Sequence, residues 1–187
     1  TEENRGTAIV VQSHPAFAGT TIVDLRLPSG ETAGTTAVNI GQAWELNLGD
    51  ETIAYTAVAG DELSDVETGL ATAINQNLIE LVGAVTAGDS WSLTATSSDL
   101  GGDVEFAYTA LANDTRDTIA EALATLVNND GRLAASTTGT QITVTSPDGS
   151  PFQVSVNESQ ATVTRTDFEA RLAADSIYIQ PHIATLA

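Results

Sequence analysis

Three residue types are missing from this chain: its 187 residues contain no cysteine, no methionine and, among six basic residues, no lysine. Without cysteine there is no disulfide and no thiolate to bind a metal or attack a substrate. Histidine is nearly absent as well. Only His14 and His182 occur, each beside a proline and near a chain end, where a loop or strand-edge role is expected. Nucleophilic catalysis needs a base beside the nucleophile and a third group to orient it, and two such histidines offer little toward that. The sequence has no glycine-rich phosphate loop, no His-Glu-x-x-His and no Gly-x-Ser-x-Gly. Apolar runs stop well short of the roughly 20 residues that cross a bilayer. No signal peptide is visible, and a start at Thr1 rather than Met is what a processed product or a segment of something longer would show.

Positive charge is the next scarcity. Six arginines face 25 acidic residues, a formal net charge of −19. Such a chain repels phosphate backbones and anionic membrane surfaces, so neither nucleic acid nor a membrane is an expected partner. The acidity then has two readings: a solvated coat that keeps the protein soluble, or a supply of carboxylates for Ca²⁺. The apolar share, 42%, is ample for a core, and it is built from small residues interleaved with Thr and Ser. That mixture suits pleated, half-buried surfaces.

The chain also repeats itself. Gly41, Trp44 and Leu46 match Gly88, Trp91 and Leu93 at an offset of 47, and Ala54-Tyr55-Thr56-Ala57 matches Ala107-Tyr108-Thr109-Ala110 at an offset of 53. The six additional residues of the second copy fall in the polar stretch Ser97–Asp103, where a hairpin tip absorbs them and where Gly101-Gly102 supplies backbone freedom. Each copy reads as strand, turn, strand, helix. Apolar residues alternate around Trp44 and Trp91, then recur at helical spacing in Leu63, Val66, Leu70 and Ile74, and in Ile119, Leu123, Leu126 and Val127. Asp61 and Asp114 stand where N-caps are expected, and Asn75, Asn77, Asn128, Asn129 and Gly131 where the helices stop.

A shorter similarity joins Gly6–Ser13 to Gly139–Ser146. Each is followed by a Pro- and Gly-bearing turn and a return strand, Phe17–Leu27 and Phe152–Val156. The expected fold is therefore α+β and β-rich: two small modules, each an antiparallel sheet of two hairpins with one covering helix. Residues 1–85 would form the first, with its helix at about 61–77. Residues 86–160 would form the second, with a helix at about 114–129 and a hairpin at about 138–157. The N-terminal hairpin belongs to the first module in a permuted order or is the tail of a preceding repeat. Residues 161–187 read as a strand, a short helix over 167–174 and a terminal strand, an extension that packs back on its own module or serves strand exchange between subunits. Trp44 and Trp91 are expected as core anchors, with sugar stacking as the other use of such a ring.

The pattern Gly-x-x-Trp-x-Leu, then Tyr-Thr-Ala-Val-Ala-Gly-Asp, a short helix ending in Asn, and Gly-Thr-x-Ile-Thr-Val-Thr-Ser with Pro-Phe-x-Val-Ser-Val spans residues 36–157. It resembles tandem β-rich modules of large bacterial surface and adhesin-like proteins and of phage tail or fibre proteins. The resemblance implies an extracellular, cell-surface or virion setting and a non-catalytic structural or assembly subunit of a filament, fibre or surface layer. The alternative is an adhesin or carbohydrate-binding module, calcium-stabilised or not. The partners expected are other copies or neighbouring repeats, met through terminal strands. Catalytic and cofactor-binding residues are expected to be none. For a metal, Asp99, Asp103 and Glu105 near the inserted loop and Asn129 with Asp130 are the candidate Ca²⁺ ligands. The acids at the helix starts, Asp61, Glu62 and Asp65, and Asp114 and Asp117, are explained by capping. A hydrolase would need two carboxylates facing each other roughly 5 to 10 Å apart.

Overall fold

The alternating stretches around Trp44 and Trp91 are strands, and the Ala- and Leu-rich stretches behind them are helices. A computed structural model describes residues 9–13, 21–25, 38, 40–48, 50–173 and 176–181. In chain order the elements are β1 (Ile9–Ser13), β2 (Thr21–Leu25), β3 (Ala43–Leu48), β4 (Glu51–Thr56), α1 (Leu63–Ile74), β5 (Asn77–Leu81), β6 (Ser90–Ser97), β7 (Gly102–Thr109) and α2 (Arg116–Asp130). Then come β8 (Ala134–Thr138), β9 (Gln141–Thr145), β10 (Gln153–Val156), β11 (Ala161–Arg165), β12 (Phe168–Ala173) and β13 (Ser176–Pro181). The strand pairs in these small sheets are antiparallel, and the fold is β-rich α+β.

The chain divides into two compact units. One comprises Thr1–Ile74, Asp148–Ser150 and Asp167–Ala187. Its β3–β4 hairpin sets Trp44 opposite Tyr55 and Leu46 opposite Ile53. Its other sheet has the order β1-β2-β13-β12. Helix α1 turns Val66, Leu70, Ala71 and Ile74 inward at helical spacing, against β4 and β12. These residues, Trp44, Leu46, Val23, Ile177 and Ile179 make one core. Burying each large apolar side chain contributes about 1.5–3 kcal/mol.

The other unit comprises Asn75–Pro147 and Pro151–Thr166. Its β6–β7 hairpin sets Trp91 opposite Tyr108 and Leu93 opposite Phe106. Strand β10 lies along the outer edge of β6. The second sheet has the order β11-β5-β9-β8. Helix α2 begins at the N-cap Thr115, in a reciprocal capping box with Thr118, and ends on Gly131 at φ 81, the left-handed conformation glycine adopts without strain. Ile119, Leu123 and Val127 carry its buried stripe into a core with Trp91, Ile79 and Ile142. The two four-stranded sheets share an order. Each runs from the hairpin that follows the helix (β12–β13, or β8–β9) to the strand that precedes the Trp hairpin (β2, or β5) and ends in an edge strand (β1, or β11).

Several local expectations change. Residues 167–174 do not form a helix: Phe168–Ala173 is β12, paired along its length with β13. Glu, Ala, Arg and Leu are good helix formers, but propensity is a small term per residue, and a six-residue ladder with Ala170 buried against the core outweighs it. Strand β13 pairs in turn with β2. The return strand at Phe152–Val156 does not pair with the Gly139–Ser146 strand. Strand β9 makes its hairpin with β8, and β10 crosses to β6, with Phe152 buried in the core. Consequently β1, at a sheet edge, and β9, inside a sheet, are similar in sequence without holding similar places. Helix α1 stops at Ile74, and Asn77 already opens β5. Asp114 is not an N-cap, because Thr115 holds that place.

Candidate functional site

The most specific polar chemistry lies in the two turns between hairpin and helix. In the first, Tyr55 Oη donates to Asp61 Oδ2 at 2.7 Å and the Val58 N–H donates to the same oxygen at 2.8 Å. In the second, Tyr108 Oη donates to Asp114 Oδ2 at 2.8 Å and the Leu111 N–H joins it at 2.7 Å. Each carboxylate, two residues before its helix, thus ties the turn back to the end of a strand. The backbone repeats as well. The Gly41 N–H meets the Ala57 carbonyl at 2.8 Å, as the Gly88 N–H meets that of Ala110 at 2.8 Å. Gly60 at φ 95 and Asn113 at φ 77 occupy the same left-handed step, which Asn tolerates better than most side chains. The turns present Val58 and Leu111 outward, 58% and 62% exposed.

The electrostatics follow from these bonds. The hydrogen bond to Asp61, then burial, then the negative charges of Asp61 and Asp65 push the Tyr55 phenol up to about 12. Tyr108 is raised for the same first reason, its bond to Asp114. The Leu111 N–H, then the Tyr108 hydroxyl, hold the Asp114 carboxyl below the usual range. Both phenols are hydrogen-bond donors to a carboxylate.

Trp44 and Trp91 are 2% and 1% exposed, each opposite the tyrosine of its own turn. Among the described residues neither indole Nε1 has a hydrogen-bond partner, an uncommon condition for a buried donor that both share. A sugar could not stack on rings so covered.

The candidate metal ligands are scattered over the β6–β7 tip and the end of α2. Asp99 accepts from Ser98 Oγ at 3.3 Å, and Asp103 accepts from Thr96 Oγ1 at 2.8 Å. Glu105 lies exposed on β7 opposite Thr94, and Asn129 is exposed on α2. Asp130 receives Arg132 Nε at 2.7 Å and Nη2 at 2.9 Å, which lowers its pKa. Arg132 Nη1 also donates to the Leu100 carbonyl at 2.8 Å, so this guanidinium joins the hairpin tip to the helix end. Among the described residues no three acidic or imidazole groups converge on one point. His14 and His182 lie outside the described residues. At the first helix start, Asp65 accepts from the Glu62 N–H at 2.8 Å.

The tyrosine–aspartate pairs and the reach of Arg132 were not anticipated from sequence. The former had a readable signal, since Tyr and Asp stand six residues apart in both Tyr-Thr-Ala-Val-Ala-Gly-Asp and Tyr-Thr-Ala-Leu-Ala-Asn-Asp. Compared with known proteins, the chain matches no family model and no curated sequence.

Proposed function

We propose that this chain is a non-catalytic structural subunit, built from two copies of one sheet-and-helix module, that assembles outside the cytoplasm into a fibre, filament or surface layer. The second copy interrupts the first in sequence, between α1 and β12. The observation that carries the reading is the doubled tyrosine–aspartate turn beneath a doubled buried tryptophan. Equivalent polar groups in both copies hold strand to helix, so the repeated chemistry is scaffolding. A surface with a net charge of −19 keeps such a subunit soluble until salt screens it. Electron micrographs and light scattering over rising concentration and salt test this. Regular assemblies are expected, and a dispersed monomer under every condition would overturn the reading.

A second reading, an adhesin or ligand-binding module, draws support from the β6–β7 tip. Arg132 holds Leu100, and Ser97 Oγ donates to the Pro151 carbonyl at 2.9 Å, so the inserted loop is a fixed platform. Glycan-array binding lost on shortening Ser97–Asp103 would promote that reading.

A further inference from the structure

Two asparagines of this chain open the triplet Asn-x-Ser/Thr, the acceptor sequence for N-linked sugar: Asn113-Asp114-Thr115 and Asn157-Glu158-Ser159. Their surroundings differ. Asn157 follows the end of β10 and starts the turn into β11, and all three residues of its triplet are exposed. Asn157 Oδ1 accepts from the Ser159 N–H at 3.1 Å and from Ser159 Oγ at 2.8 Å. A backbone N–H can only donate, so the atom facing it is the amide oxygen, and Nδ2, on the other limb of the amide, faces away from the turn. Among the described residues no hydrogen bond holds Nδ2. The turn itself is fixed. The Asn157 carbonyl accepts from the N–H groups of Gln160 at 2.8 Å and Ala161 at 3.0 Å, and the Gln160 carbonyl accepts from the Val82 N–H at 2.6 Å. Gln160 Nε2 donates to the Ser90 carbonyl at 3.1 Å. The Asn157 amide is therefore an exposed and oriented group on an anchored corner.

We infer that Asn157 is an N-glycosylation site, modified by an oligosaccharyltransferase that draws on a polyprenyl-diphosphate-linked oligosaccharide. The inference rests on the extracellular setting proposed above and adds a modification to it. In the transfer, one Nδ2–H bond is replaced by a bond from Nδ2 to the anomeric carbon of the sugar. The bond from that carbon to the diphosphate oxygen breaks, the lipid diphosphate leaves with the electron pair, and the amide proton passes to a base of the transferase. Nothing is oxidised or reduced. Ser159 Oγ is the hydroxyl that the triplet requires, and it already lies against the amide it serves. A sugar on Nδ2 leaves the turn intact, because both bonds within the triplet end on Oδ1. Asn113 is the contrast. Among the described residues no hydrogen bond joins it to Thr115, whose hydroxyl accepts instead from the Thr118 N–H at 3.3 Å as the cap of α2. Between them Asp114 is tied to Tyr108 and Leu111, and Asn113 itself stands at φ 77. Reshaping that triplet for a transferase would undo the turn and the cap together.

The arginines separate the two triplets for mapping: cleavage after arginine leaves Asn113 in the peptide 27–116 and Asn157 in the peptide 133–165. Folded protein is incubated with a transferase that reads Asn-x-Ser/Thr and with its lipid-linked donor, and the peptides are weighed. A mass gain of one oligosaccharide is expected on 133–165, with 27–116 unchanged. Asn157→Gln and Ser159→Ala should abolish the gain, Ser159→Thr should keep it, and Asn113→Gln should leave it as it is. No gain in the folded protein, or a gain on 27–116, would overturn the assignment. Protein recovered from the surface or medium of the cells that make it should carry sugar on the same peptide. Such protein with Asn157 bare would overturn the modification and leave the extracellular reading standing. Protein held in the cytoplasm would overturn both.

Discussion

The Tyr55 hydroxyl lies 2.7 Å from Asp61 Oδ2, and the same carboxylate oxygen takes the Val58 N–H at 2.8 Å, so one side chain closes the turn that carries β4 into α1. Tyr108 and Asp114 repeat the closure in the other unit at 2.8 Å. Replacing Tyr55 by Phe removes the donor and leaves a buried carboxylate that keeps, among the described residues, the Val58 N–H. A hydrogen bond to a charged acceptor, discounted for partial exposure, predicts a loss of about 1 kcal/mol in denaturant unfolding. Tyr108→Phe should shift stability in the same direction. No change in either variant would remove the turns from the account.

Alkaline pH should act on the same bond. The Tyr55 phenol is raised to about 12 by its bond to Asp61, above the ordinary value of 10.0 that the unfolded chain would show. A group raised on folding contributes stability that is fully present below the unfolded value and is lost as pH climbs through the folded one. Melting temperature should therefore fall between about pH 10 and 12. The fall should be shallower in Tyr55→Phe, and equal slopes in the two proteins would contradict the assignment.

Gly69 gives a prediction of unusual sign. Alanine in place of glycine inside a helix ordinarily stabilises by about 1 kcal/mol. On α1, however, a Cβ at Gly69 would run into the Tyr55 ring, which its bond to Asp61 holds in place. Gly69→Ala should destabilise the protein and return the phenol titration toward normal. In a Tyr55→Ala background the same substitution should stabilise. Ala122, at the matching position of α2, already carries its Cβ, half-exposed. A stabilising Gly69→Ala in the parent protein would show that the ring is not held.

Much of this architecture was legible in the residues. The period-2 alternation around Trp44 and Trp91 and the helical spacing of Val66, Leu70 and Ile74, and of Ile119, Leu123 and Val127, are local signals, and local signals survive folding. The places that misled depend on distant partners. Leu78, Ile79 and Leu81 directly follow a helix and gain their strand from β9 and β11, more than 60 residues downstream. Phe168–Ala173 looks helical until β13 pairs with it. Strand β10 was expected beside its neighbour in sequence and lies instead beside β6, which no local pattern specifies. The tyrosine–aspartate pairs were hidden for another reason. Asp61 and Asp114 stand where caps are common, and only the repeated six-residue spacing from a tyrosine distinguishes them.

The two indoles, observed one at a time, test the proposed pair of matched modules most directly. In Trp44→Phe and Trp91→Phe proteins the remaining tryptophan should emit at the same short wavelength and resist an aqueous quencher equally, as expected of rings 2% and 1% exposed. Both should become exposed only on unfolding. One indole emitting at long wavelength and quenched readily in the folded protein, while the other stays shielded, would contradict the paired seats and the scaffold reading built on them.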